Sequence, residues 1–153
     1  MKNSITYMLL PLATAVSATI FATVPGVPLG GVAQAQEASE KLASGSFKGA
    51  DRAHQAAGDA RIVRLQGGGY GVKFESNFDV TGGPDLRVWV SEAENPRSKS
   101  EVKAADYIDL GRLQDSDGEQ IYRLPDGFDL ADADSIVIWC RAFGVFFGAA
   151  TLS

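Results

Sequence analysis

Ser135–Gly148 reads Ser-Ile-Val-Ile-Trp-Cys-Arg-Ala-Phe-Gly-Val-Phe-Phe-Gly, and the fold turns on how this stretch is read. Ser135 to Arg141 is rich in β-branched and aromatic residues and holds no Gly or Pro, the composition of a strand. Side chains alternate across a strand, so Ile136, Ile138 and Cys140 face one way and Val137, Trp139 and Arg141 the other. Large apolar groups on both faces predict a central strand buried on both sides. Gly144 interrupts the pattern as a bulge or bend would. Val145 to Leu152 then resumes as a last strand or a continuation of the same one. Gly148, Ala149 and Ala150 are small, which suits close approach of backbone or of a large neighbour.

Cys140 is the single cysteine of the chain. It reads either as a small buried hydrophobe or as a redox thiol or ligand. Thiol reactivity needs thiolate character and some exposure, and Arg141 points to the opposite strand face, where it gives little direct help.

The N-terminus has a different character. Lys2 precedes an almost uncharged apolar run from Ile5 to Val24, followed by Pro25-Gly26-Val27-Pro28 and then Ala33-Gln34-Ala35, an A-x-A cleavage pattern. Residues 1–35 therefore read as a secretory signal peptide, 36–43 as a polar leader and 44–153 as one domain, secreted or periplasmic. A membrane role is expected only if the apolar segment stays uncleaved. Removing residues 1–35 takes one base, Lys2, and no acid, leaving 13 bases against 19 acids, a formal charge of −6. An acidic exported domain with no basic cluster excludes nucleic acid as a partner class. One cysteine forms no internal disulfide, so the fold stands on its apolar core.

Along the domain, Phe47 is a core anchor, and Asp51 to Gly58 holds the only histidine, His54. Asp59–Leu65 and Tyr70–Phe74 flank Gly67-Gly68-Gly69 and predict a β-hairpin. No helix, Lys or Ser/Thr follows these glycines, which excludes a phosphate-cradling loop. Phe78 and Val80 tuck inward from a connection ending in Gly82-Gly83-Pro84. Leu86–Val90 is a strand with Leu86, Val88 and Val90 on one face and Arg87 and Trp89 on the other. Ser91–Ala104 is a charged surface insertion with a short helical turn. Asp115–Glu119 lacks the ligand order of a calcium loop and reads as a turn. Asp129 caps a single helical turn. No metal site is expected. Many short strands at regular turn spacing predict an all-β fold, an antiparallel β-sandwich or barrel-like single domain.

Trp139-Cys140 followed by Phe143, Val145 and Phe147-Gly148 resembles the C-terminal signature of the DM13 domain family. Gly45-Ser46-Phe47, His54 with Gly58, Asn77-Phe78, Gly83-Pro84-Asp85-Leu86, Leu110-Gly111, and Tyr122 with Leu124-Pro125 resemble its other pieces in the same order. The resemblance implies an extracytoplasmic β module of electron transfer that keeps company with haem-binding DOMON domains. It also implies that Cys140 is a bare redox thiol or a haem ligand. No DOMON domain is attached here, so such a redox partner would be a separate polypeptide.

Two functions follow. The first is redox or haem binding, with Cys140 and His54 as the only axial-ligand candidates of their types and Trp139, Phe143, Phe146 and Phe147 lining a slot. A blue-copper site is excluded because it needs two histidines. The second is a non-catalytic cell-surface or periplasmic binding or adhesion module, using Gly82–Leu86 and Glu92–Ala104. An enzyme ranks last, since no acid–base or nucleophile–base pair can be assigned from spacing.

Overall fold

The computed structural model describes residues 41–153; the expected signal peptide with its cleavage pattern and most of the expected leader lie outside them. The first strand, β1, spans Lys41–Gly49 and so begins inside the segment expected to be leader. Lys41 and Ala43 pair with Val63 and Ile62 of a neighbouring strand. This backbone ladder overrides the polar, helix-tolerant composition that suggested a loose leader.

The chain continues through β2 (Ala56–Ala57), β3 (Asp59–Arg64), β4 (Tyr70–Phe74), β5 (Asp79–Val80) and β6 (Leu86–Ser91). A short helix α1 (Lys99–Ala104) precedes β7 (Tyr107–Arg112) and β8 (Gln120–Arg123). A 3-10 turn at Leu130–Asp132, capped by the Asp129 carboxylate, leads into β9 (Ser135–Cys140) and β10 (Val145–Thr151). Eight strands form one nearly closed antiparallel sheet in the order β7-β6-β9-β10-β1-β3-β4-β8, and β2 pairs with β5 beside it. The all-β, barrel-like expectation holds. So does the Gly67–Gly69 hairpin, whose strands pair in register from Arg64↔Tyr70 to Ala60↔Phe74.

Every residue of β9 is buried, as its two apolar faces require. The inward face gives Ile136, Ile138 and Cys140 to the barrel interior, with Phe47, Ile62, Phe74, Phe78, Val88 and Phe147. Phe47, Phe74 and Phe78 meet ring to ring at 4.4–5.2 Å. The outward face gives Val137 and Trp139 to a second cluster with Trp89, Phe146 and Ala149, covered by Val102 of α1. Burying a side chain of this size stabilises by about 1.5–3 kcal/mol, so a strand that contributes to both layers anchors more than an edge strand. Six residues are too few for a helix to stand alone. Two contacts hold α1: the Ser98–Glu101 capping box, and Val102 packed on the outer cluster.

A bulge adjusts the faces of β10. Phe146 opposes Trp139 and Gly148 opposes Ile138, so Phe147 is the extra residue between them. Alternation sends Phe146 outward and Phe147 inward, and the extra residue then returns Ala149 to the outer cluster and Ala150 to the inner one. Gly144, expected to break the pattern, lies in the β9–β10 turn with φ 61°. Gly148 meets the close approach foreseen for it: a Cβ there would lie 2.6 Å from the Lys48 carbonyl oxygen and 2.8 Å from Ala56 Cβ. Both neighbours are fixed in packed strands. Gly148→Ala should therefore cost about 1–3 kcal/mol, the usual range for overpacking; a chemical denaturation midpoint equal to that of the parent would contradict this.

Candidate functional site

Cys140 ends β9 on its inward face and is 1% exposed. Its strand neighbours are Leu86 on β6 and Val145 on β10. Two segments cover this end of the barrel. The first is the Gly82–Asp85 connection: a Cβ on Gly83 would lie 2.7 Å from Leu86 Cδ2 and 3.2 Å from Phe147 Cζ, so the backbone rests directly on those side chains. Arg141 ties the same connection to the β9–β10 turn. Its backbone N–H donates to the Asp85 carbonyl at 2.9 Å, and its Nε donates to Asp85 Oδ2 at 2.7 Å.

The second cover is the segment between β1 and β2. His54 packs edge-on against the Phe147 ring, centroids 4.7 Å apart. Asp51 fixes that imidazole through Nδ1, 2.9 Å from Oδ2, and its Oδ1 accepts from the backbone N–H groups of Ala53 and His54. Gln55 and Thr81 join the two covers by reciprocal bonds, Gln55 N–H to Thr81 Oγ1 and Thr81 N–H to the Gln55 carbonyl. The hydrogen bond from His54 is the leading cause that holds the Asp51 carboxyl below the usual carboxylate range, and the two backbone N–H groups add to it.

His54 thus packs on Phe147, which belongs to the same interior cluster as Cys140. The other two candidates lie elsewhere. Trp139 faces out, into the cluster beneath α1. Phe143 sits in the β9–β10 turn and is 73% exposed. Phe146 also faces out. A haem bound through Cys140 needs an open apolar slot beside the sulfur. Ile138, Leu86 and Phe147 share its buried cluster, and three of the four aromatic residues expected to line a slot point away from it. The residues present do not fit a haem at this thiol.

The outer face carries an arrangement that sequence reading did not assemble. Trp89 stacks on Tyr107 with centroids 3.9 Å apart and on Trp139 at 4.8 Å. The Lys103 ammonium lies 5.1–5.9 Å from all three ring centres, within cation–π range. The outward positions of Trp89 and Trp139 were each legible. Their meeting depends on β6 lying beside β9 with Arg87 opposite Trp139 and Trp89 opposite Val137. A separate polar cleft of about 680 Å³ lies outside β1 and β3, lined by Ser46, Lys48, Asp59, Arg61 and Glu75 among others. Most of its charges are already matched, Ser46 Oγ to Asp59 and Arg61 to Glu75.

These features define a small antiparallel barrel with one thiol sealed inside and an aromatic stack outside. The family model described as electron transfer DM13 matches residues 46–152, and the chain belongs to the DM13 family. No curated protein and no solved structure matches it.

Two outcomes follow from the site. Cys140→Ala should lower stability by about 1–2 kcal/mol, as small cavity-forming core changes do; an unchanged denaturation midpoint would show that the sulfur is not packed. His54→Ala should raise the Asp51 carboxyl toward the ordinary range, read by NMR titration of the carboxyl. The sign follows from the depressed value. The folded state binds fewer protons, so the pair's contribution is present above the unfolded carboxylate pKa and fades as the pH falls through the folded one.

Proposed function

We propose that this chain is an exported DM13 module of an extracytoplasmic electron-transfer system, and that it acts by associating with a separate redox protein. Family membership supports the electron-transfer part. The charged start, apolar run and A-x-A pattern of residues 1–35 support export. The observation that carries the association is the placement of Cys140. Its thiol is 1% exposed in hydrocarbon, while Trp139 and Phe143 are directed to the outside of the barrel. A thiol reacts as the thiolate and needs access. Sealed in the core, it stays reduced and unpaired in a compartment where thiols usually pair. On this reading the module has no haem of its own, and its working surface is the outside of the barrel.

The test uses the full chain. Expressed with its own N-terminus, it should be exported and cleaved after Ala35, read by N-terminal sequencing. The purified protein should show no Soret band with added haem. A thiol reagent should label Cys140 slowly under native conditions and completely after denaturation. A Soret band that is lost in Cys140→Ser would replace this reading with a resident haem. Native labelling at the rate of a free thiol would replace it with a working cysteine.

A further inference from the structure

Residues 92–106 join β6 to β7, and α1 within them covers the outer apolar layer. The two ends of this segment meet: Ser91 pairs with Tyr107 in the ladder, and the Glu92 N–H donates to the Asp106 carbonyl at 3.0 Å. A compact surface loop closed at its base in this way is an Ω-loop. Its polar groups are matched largely within itself. The Glu101 carboxylate accepts from the N–H groups of Arg97 and Ser98, the Ser98 hydroxyl accepts from the Glu101 N–H, and the Val102 N–H donates to the Ser98 carbonyl. Beyond the β6–β7 hairpin that carries it, one hydrogen bond ties the segment to the barrel among the described residues, from Thr151 Oγ1 to Asn95 Oδ1 at 3.2 Å. Asn95 itself holds φ 47°, a left-handed conformation that asparagine tolerates better than most residues. The rest of the attachment is apolar and cation–π: Val102 is fully buried in the outer cluster, and the Lys103 ammonium stands over the Trp89 and Trp139 rings.

The face beneath is imperfectly satisfied. Trp89 is buried, and its Nε1–H has no hydrogen-bond partner among the described residues. Ser135 is buried too, and its Oγ has none either. Ser135 stands between Ser91 and Thr151 in the pairing across β6, β9 and β10. By alternation it shares the outer face of β9 with Val137 and Trp139. The hydroxyls on either side of it both hold the segment, Ser91 Oγ by accepting from the Ala93 N–H and Thr151 Oγ1 by donating to Asn95. A buried donor or hydroxyl without a partner gives up its water and receives no bond in exchange. The closed segment therefore carries a free-energy cost that admitting water would relieve.

We propose that residues 92–106 are a strap that opens as one unit while the barrel stays folded, and that its opening uncovers the Trp89–Trp139 floor to solvent. The hinge is the Glu92–Asp106 end, where the hairpin ladder stays intact. The latch is Asn95 on Thr151, and the pin is Val102. The barrel keeps its strand order in both states, since no strand of the eight-stranded sheet lies within the strap. Segments with few buried apolar contacts and largely self-contained hydrogen bonds open below the free energy of global unfolding. The strap makes the outer aromatic face a gated surface, capped by Lys103 when shut and bare when the strap lifts. This device is a property of the chain alone. It does not depend on the electron-transfer reading, and either can fail without the other.

Native-state hydrogen exchange on the purified protein, followed by NMR at low urea concentrations, tests the proposal. The Val102 amide and the Trp89 indole N–H should have protection factors equal to within about threefold, both roughly a hundredfold or more below those of the Ile136 and Ile138 amides on β9. Their dependence on urea should be shallow, because lifting the strap exposes far less surface than unfolding the barrel. Val102→Ala removes the pin and should lower both protection factors together by roughly tenfold or more. The β9 amides should fall by the same factor, since global unfolding breaks that contact as well, so the gap between strap and barrel persists. Thr151→Val removes the latch donor at an exposed position and should move the same pair by roughly threefold. An indole proton as protected as the β9 amides would overturn the proposal, because the rings would then stay covered until the barrel unfolds. So would a Val102 amide that exchanges by fraying while the indole proton does not follow, or variants that shift one of the pair without the other.

Discussion

One strand carries two cores. β9 is buried along its whole length, and its alternating side chains feed the barrel interior on one side and the layer under α1 on the other. A sheet with a single covered face needs a partner only there. Here the outward face of β6, β9 and β10 is also apolar, so a helix too short to be stable by itself is recruited to cover it. The bulge at Phe147 is part of the same solution, because the one-residue register shift of β10 against β9 keeps Ala149 with Val137 on the outer layer and Ala150 with Ile136 on the inner one.

The two layers divide the chemistry. The thiol belongs to the inner one and is 1% exposed. The stacked rings of Tyr107, Trp89 and Trp139 belong to the outer one, beneath Lys103. Cys140 and Trp139 are neighbours in sequence, yet the strand between them is a wall. Any event at the outer surface reaches the sulfur only through β9 or after the covers at the barrel end move. An ammonium fixed above the rings favours their negative π faces, so the stack is most simply a rigid, charge-capped floor.

Much of this could be read from residues alone. Ser135–Arg141 has the composition and the two-sided pattern that only a buried central strand satisfies, and Gly67–Gly69 leaves little choice but a hairpin. Phe78, Val80, Leu86, Val88 and Val90 all face where alternation put them. The rest depended on which strands are neighbours. Trp89 and Trp139 lie 50 residues apart in sequence, and nothing local says that β6 pairs with β9. Phe143, Phe146 and Phe147 look equivalent as a string. A turn exposes the first, and strand alternation sends the other two to opposite layers. Lys41–Ala43 falls in a polar stretch, and its place in the sheet comes from pairing with β3. His54 had no local partner signal except Asp51 three residues before it, and its contact with Phe147 is purely tertiary.

The barrel stops one step short of closure. β7 and β8 are the two ends of the sheet, and side chains rather than a backbone ladder span the gap between them. Gln114 donates its backbone N–H to the Tyr122 hydroxyl and its side-chain amide to the Ile121 carbonyl, while Tyr122 in turn donates to Gln120. Such a clasp blunts the hazard of a bare sheet margin, since a carbonyl that would invite a foreign strand is already taken. It is also the one place where the cylinder can be unfastened without breaking a ladder.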